Sequence, residues 1–351
     1  MINWLMRLWM RLTGQSAQPE YPHLYWLVNS AWICQAVYVA AKLDIAERLR
    51  ERPLKISDLA EQCGAKQTPL LQILRSLAGF GVFAEHSGYF SLTPKAKPLL
   101  LDDPYSVHAY VILWGEQLYL AAGNMLKQVQ DGIPAFESHF GQPIWKFYED
   151  HPVEADVFDK FMSCATDAHN RFITGAYDFS RNSVVIDIGG GRASLISAIL
   201  SAKPQLRGIW FDRPELLEAA EARVAEDGHS ERCEMVAGNF MEQVPSGADL
   251  YVLKHVLHDW TDDAARVIIK NIAAAMQPES TLLIIEAVLD PRNRKDGLCK
   301  LRDLEQMFWT GGRVRTRDEF QTLLRPAGLE IANVTATPIV DVCLIKVRRT
   351  C

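Results

Sequence analysis

The sequence predicts a mixed fold, in which a mainly helical N-terminal region precedes a C-terminal α/β domain. Two observations carry this prediction. Apolar residues recur at helical spacing through much of the chain up to residue 180. After residue 182, short apolar runs alternate with helical segments, as they do in a parallel sheet covered by helices. The 351 residues are enough for two domains with large cores, so stability requires neither a metal ion nor disulfides.

The composition points to a small-molecule partner. The chain carries 37 Lys and Arg against 43 Asp and Glu, a net charge of −6, which does not favour a nucleic-acid binder or a protein for anionic membranes. Its 7 cysteines form no CxxC pair, so neither a zinc site nor a disulfide framework is predicted, and we expect a reducing cytoplasm. No apolar run reaches the roughly 18 to 20 residues that a membrane span needs.

The N-terminal segments predict packing helices. Met1 to Leu12 is apolar nearly all round a helix and lacks the cleavage site of a secretory signal. We expect it to pack against the body of the protein or a second subunit, and the alternative is a weak contact of residues 1–12 with a membrane surface. The segment from Leu24 to Leu49 is densely apolar and predicts a buried helix.

A winged-helix pattern follows. Ile56 to Glu61, with Ser57 as the expected N-cap, and Thr68 to Leu77 predict two short helices. Two strands are then predicted, Gly81–Glu85 and Tyr89–Leu92, with a glycine-containing turn between them. Such modules often bind DNA, but the second helix offers an apolar face and a single arginine rather than polar groups for base edges, so DNA binding is not favoured.

The domain boundaries follow from these patterns. We expect a winged-helix-like domain over residues 1–105, a helical linker over 106–180 that contributes to a substrate pocket, and an α/β domain over 181–351. Pockets for planar ligands are mainly apolar. The aromatic and methionine candidates for such a pocket are Trp114, Phe161, Met162, Met307, Phe308 and Trp309.

The α/β domain predicts a Rossmann-like sheet. It begins with a strand at Val184–Ile188, a run of three glycines and a helix at Ser194–Ala202. Further strands are predicted at Gly208–Phe211, Cys233–Ala237, Asp249–Leu253, Thr281–Ala287 and Val342–Val347. Further helices are predicted at Pro214–Ala225, at Asp262–Met276 with Thr261 as its N-cap, and at Thr316–Ala327.

The first strand of this domain ends in a candidate cofactor site. Asp187, Gly189 and Gly191 form an acid-x-G-x-G turn, in which backbone N–H groups can approach a ligand closely. A dinucleotide motif needs a third glycine where the chain has Ser194, which impairs an NAD interpretation. Asp212 ends the second strand, where an acid can hold two ribose hydroxyls. Two carboxylates suit a nucleoside that lacks phosphates and has a cationic end, and S-adenosylmethionine (SAM) meets that description.

A second group of polar residues follows the strand that ends near Leu253. His258 is expected beside the ligand crevice at the carboxyl end of the sheet, where an imidazole is the natural general base for a hydroxyl. Asp259 is adjacent and Glu286 ends the next strand, so either carboxylate could orient the ring. For His255 we expect a structural or solvent-facing role.

These motifs together resemble a known family. The segments IDIGGG, FDRPE, GNF, LKHVLHDWTDD, LLIIEAV and TGGRVRTRDEF have the order and spacing of small-molecule O-methyltransferases. The resemblance is to plant caffeic acid and flavonoid O-methyltransferases and to bacterial polyketide O-methyltransferases, and it extends over LDIAERL and FGVFAEHSGYFSLTPKA near the N-terminus. It implies a winged-helix-like dimerisation domain, a homodimer and a Rossmann-like SAM-binding domain.

The resemblance also implies roles for individual residues. It implies that His258 is the catalytic base and that Glu286 is one of two acids flanking it. The residues implied to hold SAM are Asp212 for the ribose, Gly189 and Gly191 for the methionine part, Lys254 near the cofactor, and Asn239 and Phe240 of the GNF turn.

Three residues depart from the family pattern. Ala193 stands where a further glycine is usual, and its methyl group would crowd the turn if the backbone there needs a positive φ. Asn239 replaces an acid near the adenine. Val314 replaces the second acid beside the base, and a valine cannot orient or polarise an imidazole.

The leading functional hypothesis is a SAM-dependent O-methyltransferase that methylates a phenolic or enolic hydroxyl of a planar secondary metabolite. The alternative is a SAM-binding relative that performs a hydroxylation, cyclisation or rearrangement without methyl transfer, which Asn239 and Val314 motivate. A third hypothesis, a winged-helix regulator, predicts DNA affinity that falls steeply with salt, and the acidic charge balance counts against it.

Overall fold

The computed structural model describes residues 21–293, 297–339 and 342–350. The chain divides into two compact units, one that ends at Gly115 and one that begins at Glu116. The expected division at residues 105 and 180 stays a prediction, and the expected helix at Met1 to Leu12 lies outside the described residues. None of the described helices is both long and apolar enough to cross a membrane.

Within the described part of the first unit there are five α-helices and a small sheet. The helices are α1 (Tyr21–Lys42), α2 (Ile45–Arg48), α3 (Ile56–Gln62), α4 (Gln67–Gly79) and α5 (His108–Leu113). The strands are β1 (Leu54–Lys55), β2 (Phe83–His86) and β3 (Tyr89–Leu92), paired antiparallel in the order β1-β3-β2. Two short helices followed by a hairpin confirm the predicted winged-helix pattern.

Two local expectations in this unit are wrong. Ser57 is not an N-cap: α3 begins at Ile56 directly after β1, Lys55 takes the extended cap conformation, and the Ser57 hydroxyl bonds the Asp58 carboxylate at 2.8 Å. The segment Leu24 to Leu49 is not one buried helix, because the chain breaks at Asp44, where φ is +51°. The first half of α1 exposes Leu24 (63%), Leu27 (56%), Val28 (67%) and Trp32 (69%).

The second unit starts with helices and continues as the predicted α/β domain. Its helices are α6 (Tyr119–Ala122), α7 (Met125–Asp131), α8 (Ala135–Phe140), α9 (Ile144–Asp150), α10 (Pro152–Ala176), α11 (Ser194–Ala202), α12 (Leu217–Glu226), α13 (Asp262–Ala275), α14 (Gly297–Trp309) and α15 (Arg317–Leu324). Its strands are β4 (Val184–Ile188), β5 (Arg207–Asp212), β6 (Cys233–Ala237), β7 (Leu250–Lys254), β8 (Thr281–Glu286), β9 (Val288–Leu289), β10 (Arg315–Thr316), β11 (Leu329–Ala336) and β12 (Cys343–Arg349).

The main sheet has seven strands in the order β11-β12-β8-β7-β4-β5-β6. Pairing is parallel from β6 to β8, while β12 runs antiparallel to β8 and to β11. Side chains alternate between two apolar clusters: Ile186 and Ile188 pack towards α13 and α15, whereas Val185 packs towards α11 and α12. Helices therefore cover both faces of the sheet.

The strand order fixes where a ligand can bind. Strand β4 lies between β5 and β7, so the connections from β4 and β7 leave the sheet on opposite sides. In open α/β sheets the crevice at such a switch point, beyond the carboxyl ends of the strands, is the usual binding site. The polar residues that follow β4, β5 and β7 therefore meet there.

Candidate active site

A cavity of about 560 Å³ opens at the carboxyl ends of these strands. All of the predicted cofactor residues line it: Asp187, Gly189, Gly191, Asp212, Asn239, Phe240 and Lys254. Residues of α9 and α10 that sequence reasoning did not assign to the cofactor site also line it: Trp145, Glu149, Phe158 and Asp159. The described residues contain no group of three or more His, Cys, Asp or Glu that could hold a metal ion.

The glycine turn after β4 has the backbone geometry that only glycine adopts without strain. Gly189 has φ +70° and Gly191 has φ +54°. A Cβ at Gly189 would lie 2.8 Å from a methyl group of Val256, so the turn also packs too closely for a side chain. Ala193 has φ +60°, which confirms that the departure from glycine falls at a strained position.

Asp187 brings a carboxyl group to the cavity without a donor for one of its oxygens. The residue is buried, and its Oδ2 has no hydrogen-bond partner among the described residues. Burial raises the pKa of Asp187 to about 7, against the positive charge of Lys254, which lowers it. A cationic ligand group at this oxygen would relieve the desolvation of the carboxylate.

Asp212 is fixed by backbone donors at the end of β5. Its Oδ2 accepts the N–H of Gly191 at 2.8 Å, and its Oδ1 accepts the N–H of Arg213 at 2.7 Å. Burial raises the pKa of Asp212, which these two hydrogen bonds oppose. Each carboxylate oxygen can accept a second hydrogen bond, so the group can still receive a pair of hydroxyls.

The GNF turn contributes one aromatic face and one amide. The Asn239 amide is used within its own loop: Oδ1 accepts the N–H of Met241 at 2.9 Å and Nδ2 donates to Glu242 at 3.2 Å. The Phe240 ring packs edge-on against Trp260, with ring centroids 5.9 Å apart. Asn239 thus shapes the loop that presents Phe240 to the cavity.

His258 lies in a 3₁₀ turn, Leu257–Asp259, between β7 and α13. Its backbone N–H donates to Oε1 of Glu286 at 3.2 Å. Its ring atoms approach both predicted acids, with Nε2 at 3.6 Å from Asp259 and Nδ1 at 4.0 Å from Glu286. Both distances exceed the length of a hydrogen bond. The three predicted catalytic residues are therefore brought together, but the ring is not hydrogen-bonded to either acid in this structure.

Burial sets the protonation of this group. It lowers the pKa of His258 to about 3, so the ring is neutral near pH 7. Burial also raises the pKa of Glu286 to about 7 and that of Asp259 well above its ordinary value, and the two carboxyls repel each other's charge.

A buried arginine that sequence reasoning missed anchors the turn of His258. Arg315 is fully buried and donates to the carbonyls of Leu257 at 2.6 Å and Trp260 at 2.8 Å. It also pairs with Asp262 at the start of α13, at 2.9 Å. Its motif, TGGRVRTRDEF, is identified only by the family resemblance. No local sequence pattern predicts that an arginine is buried and donates hydrogen bonds to a loop more than fifty residues away.

Val314 is the third departure from the family pattern. It is buried in a small apolar cluster with Ala287 and Cys299, and its N–H donates to Asp303 at 2.8 Å. Because a valine side chain has no carboxyl group, it does not replace the missing acid. The carboxyls that approach His258 are those of Asp259 and Glu286.

A second, smaller cavity adjoins the first and contains His258. Of the apolar candidates, Phe161, Met162 and Trp309 line it, whereas Met307 and Phe308 do not, and Phe308 is buried in the core. Trp114 belongs to the first unit, where its indole N–H donates to Tyr110 at 2.9 Å. The polar residues of this cavity that sequence reasoning missed are His169, Arg302, Gln306 and Thr310, and His255, for which a structural or solvent-facing role was expected, also lines it.

The comparisons with known proteins agree over nearly the whole chain. Residues 25–102 match the O-methyltransferase dimerisation domain, and residues 122–330 match the O-methyltransferase domain. The chain is 39% identical to the phenazine O-methyltransferase PhzM of Lysobacter antibioticus, over 92% of this chain and 94% of that protein.

Solved structures agree with these matches. The crystal structure of LaPhzM superposes with a TM-score of 0.89 at 37% identity, covering 95% of this chain and 100% of that one. The O-methyltransferase NcsB1 of neocarzinostatin biosynthesis superposes with a TM-score of 0.80 at 29% identity, covering 90% of this chain and 95% of that one. The NcsB1 crystals contain S-adenosylmethionine and 2-hydroxy-5-methyl naphthoic acid.

Proposed function

The chain belongs to the O-methyltransferases that carry an N-terminal dimerisation domain, and from this we propose that it methylates a phenolic or enolic hydroxyl of a planar metabolite, with His258 as the base. It is a SAM-dependent O-methyltransferase of secondary metabolism, and its dimerisation domain supports a homodimer. The acceptor hydroxyl and the catalytic residues are the proposal.

The cofactor cavity fits SAM at both ends. Asp187, whose Oδ2 lacks a donor among the described residues, suits the ammonium group of the methionine part. Gly189 and Gly191 leave room for that part beside the backbone. Asp212 suits the two ribose hydroxyls, and Phe240 offers a flat face to the adenine. SAM supplies an electrophilic methyl group on a positively charged sulfur.

The protein's own chemistry in this proposal is a proton transfer at His258. The ring is neutral, because burial lowers its pKa, so it can take the proton of an acceptor hydroxyl without first losing one. Glu286 and Asp259 lie close enough to accept hydrogen bonds from the ring nitrogens after small movements, as the ring becomes positively charged. Holding the acceptor oxygen in line at roughly 3 to 3.5 Å from the reacting carbon should supply most of the rate enhancement.

The acceptor pocket favours a flat, mostly apolar molecule. Trp145, Phe158, Phe161 and Trp309 surround the smaller cavity, and Phe158 meets the Trp309 ring edge-on at 5.6 Å. Aromatic walls of this kind contact planar ring systems well. Phenazine and naphthoic acid, named for two relatives, are planar molecules, which supports an aromatic acceptor for this chain.

The proposal depends on one observation. The neutral, buried imidazole of His258 lines an aromatic cavity, and the adjoining larger cavity is lined by the carboxyl groups of Asp187 and Asp212. We expect His258→Ala to lose about 100-fold or more in turnover, since a positioned general base contributes roughly 10²- to 10⁴-fold. SAM affinity should stay within about threefold, because His258 does not line the larger cavity. Turnover is measured as S-adenosylhomocysteine formed with hydroxylated aromatic acceptors, and affinity by calorimetry.

The control is Gln277→Ala, an exposed residue beyond the end of α13, which should change neither quantity. Equal turnover in the wild type and His258→Ala would remove the general-base role. Consumption of an acceptor without S-adenosylhomocysteine would instead select the non-methylating alternative.

A further inference from the structure

His255 is a strained residue that the proposed mechanism does not use. It follows β7 with φ +52°, a left-handed conformation that only a few per cent of non-glycine residues adopt. Its N–H donates to the carbonyl of Ile285 at 3.1 Å, so β8 holds the backbone in this conformation. Such strain persists where the surrounding structure enforces it, and its usual locations are functional sites.

The ring of His255 lies against the proposed base. It stacks on His258 with ring centroids 5.3 Å apart and an interplanar angle of 27°. The ring of His169, on α10, is 5.9 Å away on a tilted plane. His255 lines both the cofactor cavity and the smaller cavity, so the residue lies where the two adjoin.

His258 has a specific need for such a neighbour. Its ring atoms are 3.6 Å and 4.0 Å from the two nearest carboxyls, longer than hydrogen bonds, and Glu286 bonds its backbone N–H instead. Val314, at the position of the second family acid, offers no polar group. The stacked ring of His255 therefore constrains the imidazole plane, which neither carboxyl holds through a hydrogen bond.

We propose that His255 is a positioning residue, whose imidazole packs on one face of His258 and fixes the plane in which that base meets the acceptor hydroxyl. The direction of a side chain depends on the backbone dihedrals of its residue, so the positive φ at 255 is what aims the ring at His258. Burial lowers the pKa of both rings, which keeps them uncharged and lets them stack without repulsion. The inference rests on the proposed role of His258.

Two substitutions separate the ring from the backbone. His255→Asn and His255→Gly both remove the imidazole, and both asparagine and glycine are compatible with a positive φ. We expect kcat to fall about tenfold or more, because small misplacements of a reacting group are costly, while the Kd for SAM stays within about threefold. The melting temperature should be unchanged or higher, especially for His255→Gly. A loss of activity together with retained or increased stability is not expected of a merely structural residue.

A second readout does not depend on turnover. In the full-length unliganded protein, the ¹³Cε1–¹H NMR signal of the His258 ring, assigned by its absence in His258→Ala, should shift and broaden in both variants as the ring gains freedom. The matched control is Ser87→Gly. Ser87 has φ +51° at an exposed hairpin turn of the first unit, so glycine relieves comparable strain there without altering kcat or the His258 signal.

The outcomes are distinct. Reduced kcat, preserved SAM affinity and a changed His258 signal support the proposal. Unchanged kcat and an unchanged signal in both variants overturn it, and so does a loss of SAM affinity as large as the loss of kcat, which would assign His255 to the cofactor site alone. If the wild type methylates no acceptor, the proposed function fails separately, and the His258 signal alone decides the positioning role.

Discussion

The proposed role of Asp187 would couple cofactor binding to pH. Its carboxyl is buried beside the cavity, and burial raises its pKa to about 7. An ammonium ligand needs the ionised form of this group. In the free protein at pH below 7 the carboxyl is increasingly protonated, so it must release a proton before it can pair with the cofactor.

We therefore expect the affinity for SAM to fall as the pH is lowered below 7. The steepest expected loss is about tenfold per pH unit, since one proton is released on binding. An α-amino group, with a pKa of roughly 7.7 to 8.0, stays charged over this range and adds no dependence of its own. Calorimetry at pH 7.0, 6.25 and 5.5, each in two buffers with different ionisation enthalpies, measures both the affinity and the proton release.

Asp187→Asn should bind SAM more weakly at pH 7 and lose most of the pH dependence. Asp263→Asn, which changes a 96% exposed side chain on α13, is the matched control and should behave as the wild type. An affinity in the wild type that is equal at pH 7.0 and 5.5 would contradict the assigned role of Asp187.

Ala193 shows why a departure from the family pattern need not disable the site. A non-glycine residue at φ +60° costs roughly 1 to 2 kcal/mol. A glycine at this position would relieve that strain, but it would lower the stability in two other ways. It would stabilise the unfolded chain by about 0.4 to 1 kcal/mol through its greater conformational entropy, and it would remove a buried methyl group that contributes about 0.8 kcal/mol. The opposing contributions nearly cancel, so the alanine methyl, which is fully buried beside α11, is compatible with a stable turn.

At the scale of elements, hydrogen bonds and an ion pair connect the glycine turn to helix α10. Arg192, in the turn, pairs with Asp159 of α10 at 3.0 Å. Two residues after Arg192, Ser194 accepts hydrogen bonds at its carbonyl and its hydroxyl from the buried Asn170 of α10, at 3.0 Å and 2.8 Å. These contacts hold α10 over the cavity that the glycine turn opens, which places its aromatic residues beside both cavities.

The turn that carries His258 depends in the same way on an element more than fifty residues away in sequence. Arg315, in β10, donates to two carbonyls of that turn and pairs with the first residue of α13. We expect Arg315→Met to lower the free energy of unfolding by about 2 to 4 kcal/mol, because it removes the donor of two carbonyls and breaks an ion pair with Asp262, whose side chain is 39% exposed. Turnover should fall more than SAM affinity, because the displaced turn carries the base.

Arg313→Met is the matched control for this substitution. Arg313 lies two residues earlier, but its side chain is 44% exposed and pairs with Glu319 at the surface. A partly exposed pair contributes roughly 0 to 1 kcal/mol, so this variant should be nearly neutral. Urea unfolding of both variants measures the difference, and equal midpoints for the two would show that Arg315 does not anchor the turn.

At the scale of the whole molecule, the accuracy of the sequence prediction depends on how local each signal is. Strand β4 and helix α11 have the predicted bounds, and Thr261 caps α13, because periodicity, glycines and capping residues act within a few positions. The seven cofactor candidates meet at one cavity because strand ends of a parallel sheet converge.

The predictions that failed or were missing concern contacts between distant parts of the chain. Arg302 and Gln306 reach the smaller cavity from α14, a helix that sequence reasoning did not predict, and strand β11 was missed as well. Hydropathy could not predict that α1 is exposed in the single chain. An apolar helix has the same sequence pattern whether its own chain or a second copy of the chain covers it.

The exposed face of α1 is the surface where dimerisation can be tested. The dimerisation match covers residues 25–102, and Val28 and Trp32, one turn apart, are each more than 65% exposed in the single chain. We expect the double variant Val28→Glu, Trp32→Glu to be monomeric at micromolar concentration, because a dimer interface cannot bury unpaired charges cheaply. Sedimentation velocity against the dimeric wild type measures this. Val267→Glu, a 43% exposed valine on α13, is the control and should stay dimeric. A double variant that remains a dimer would place the interface elsewhere.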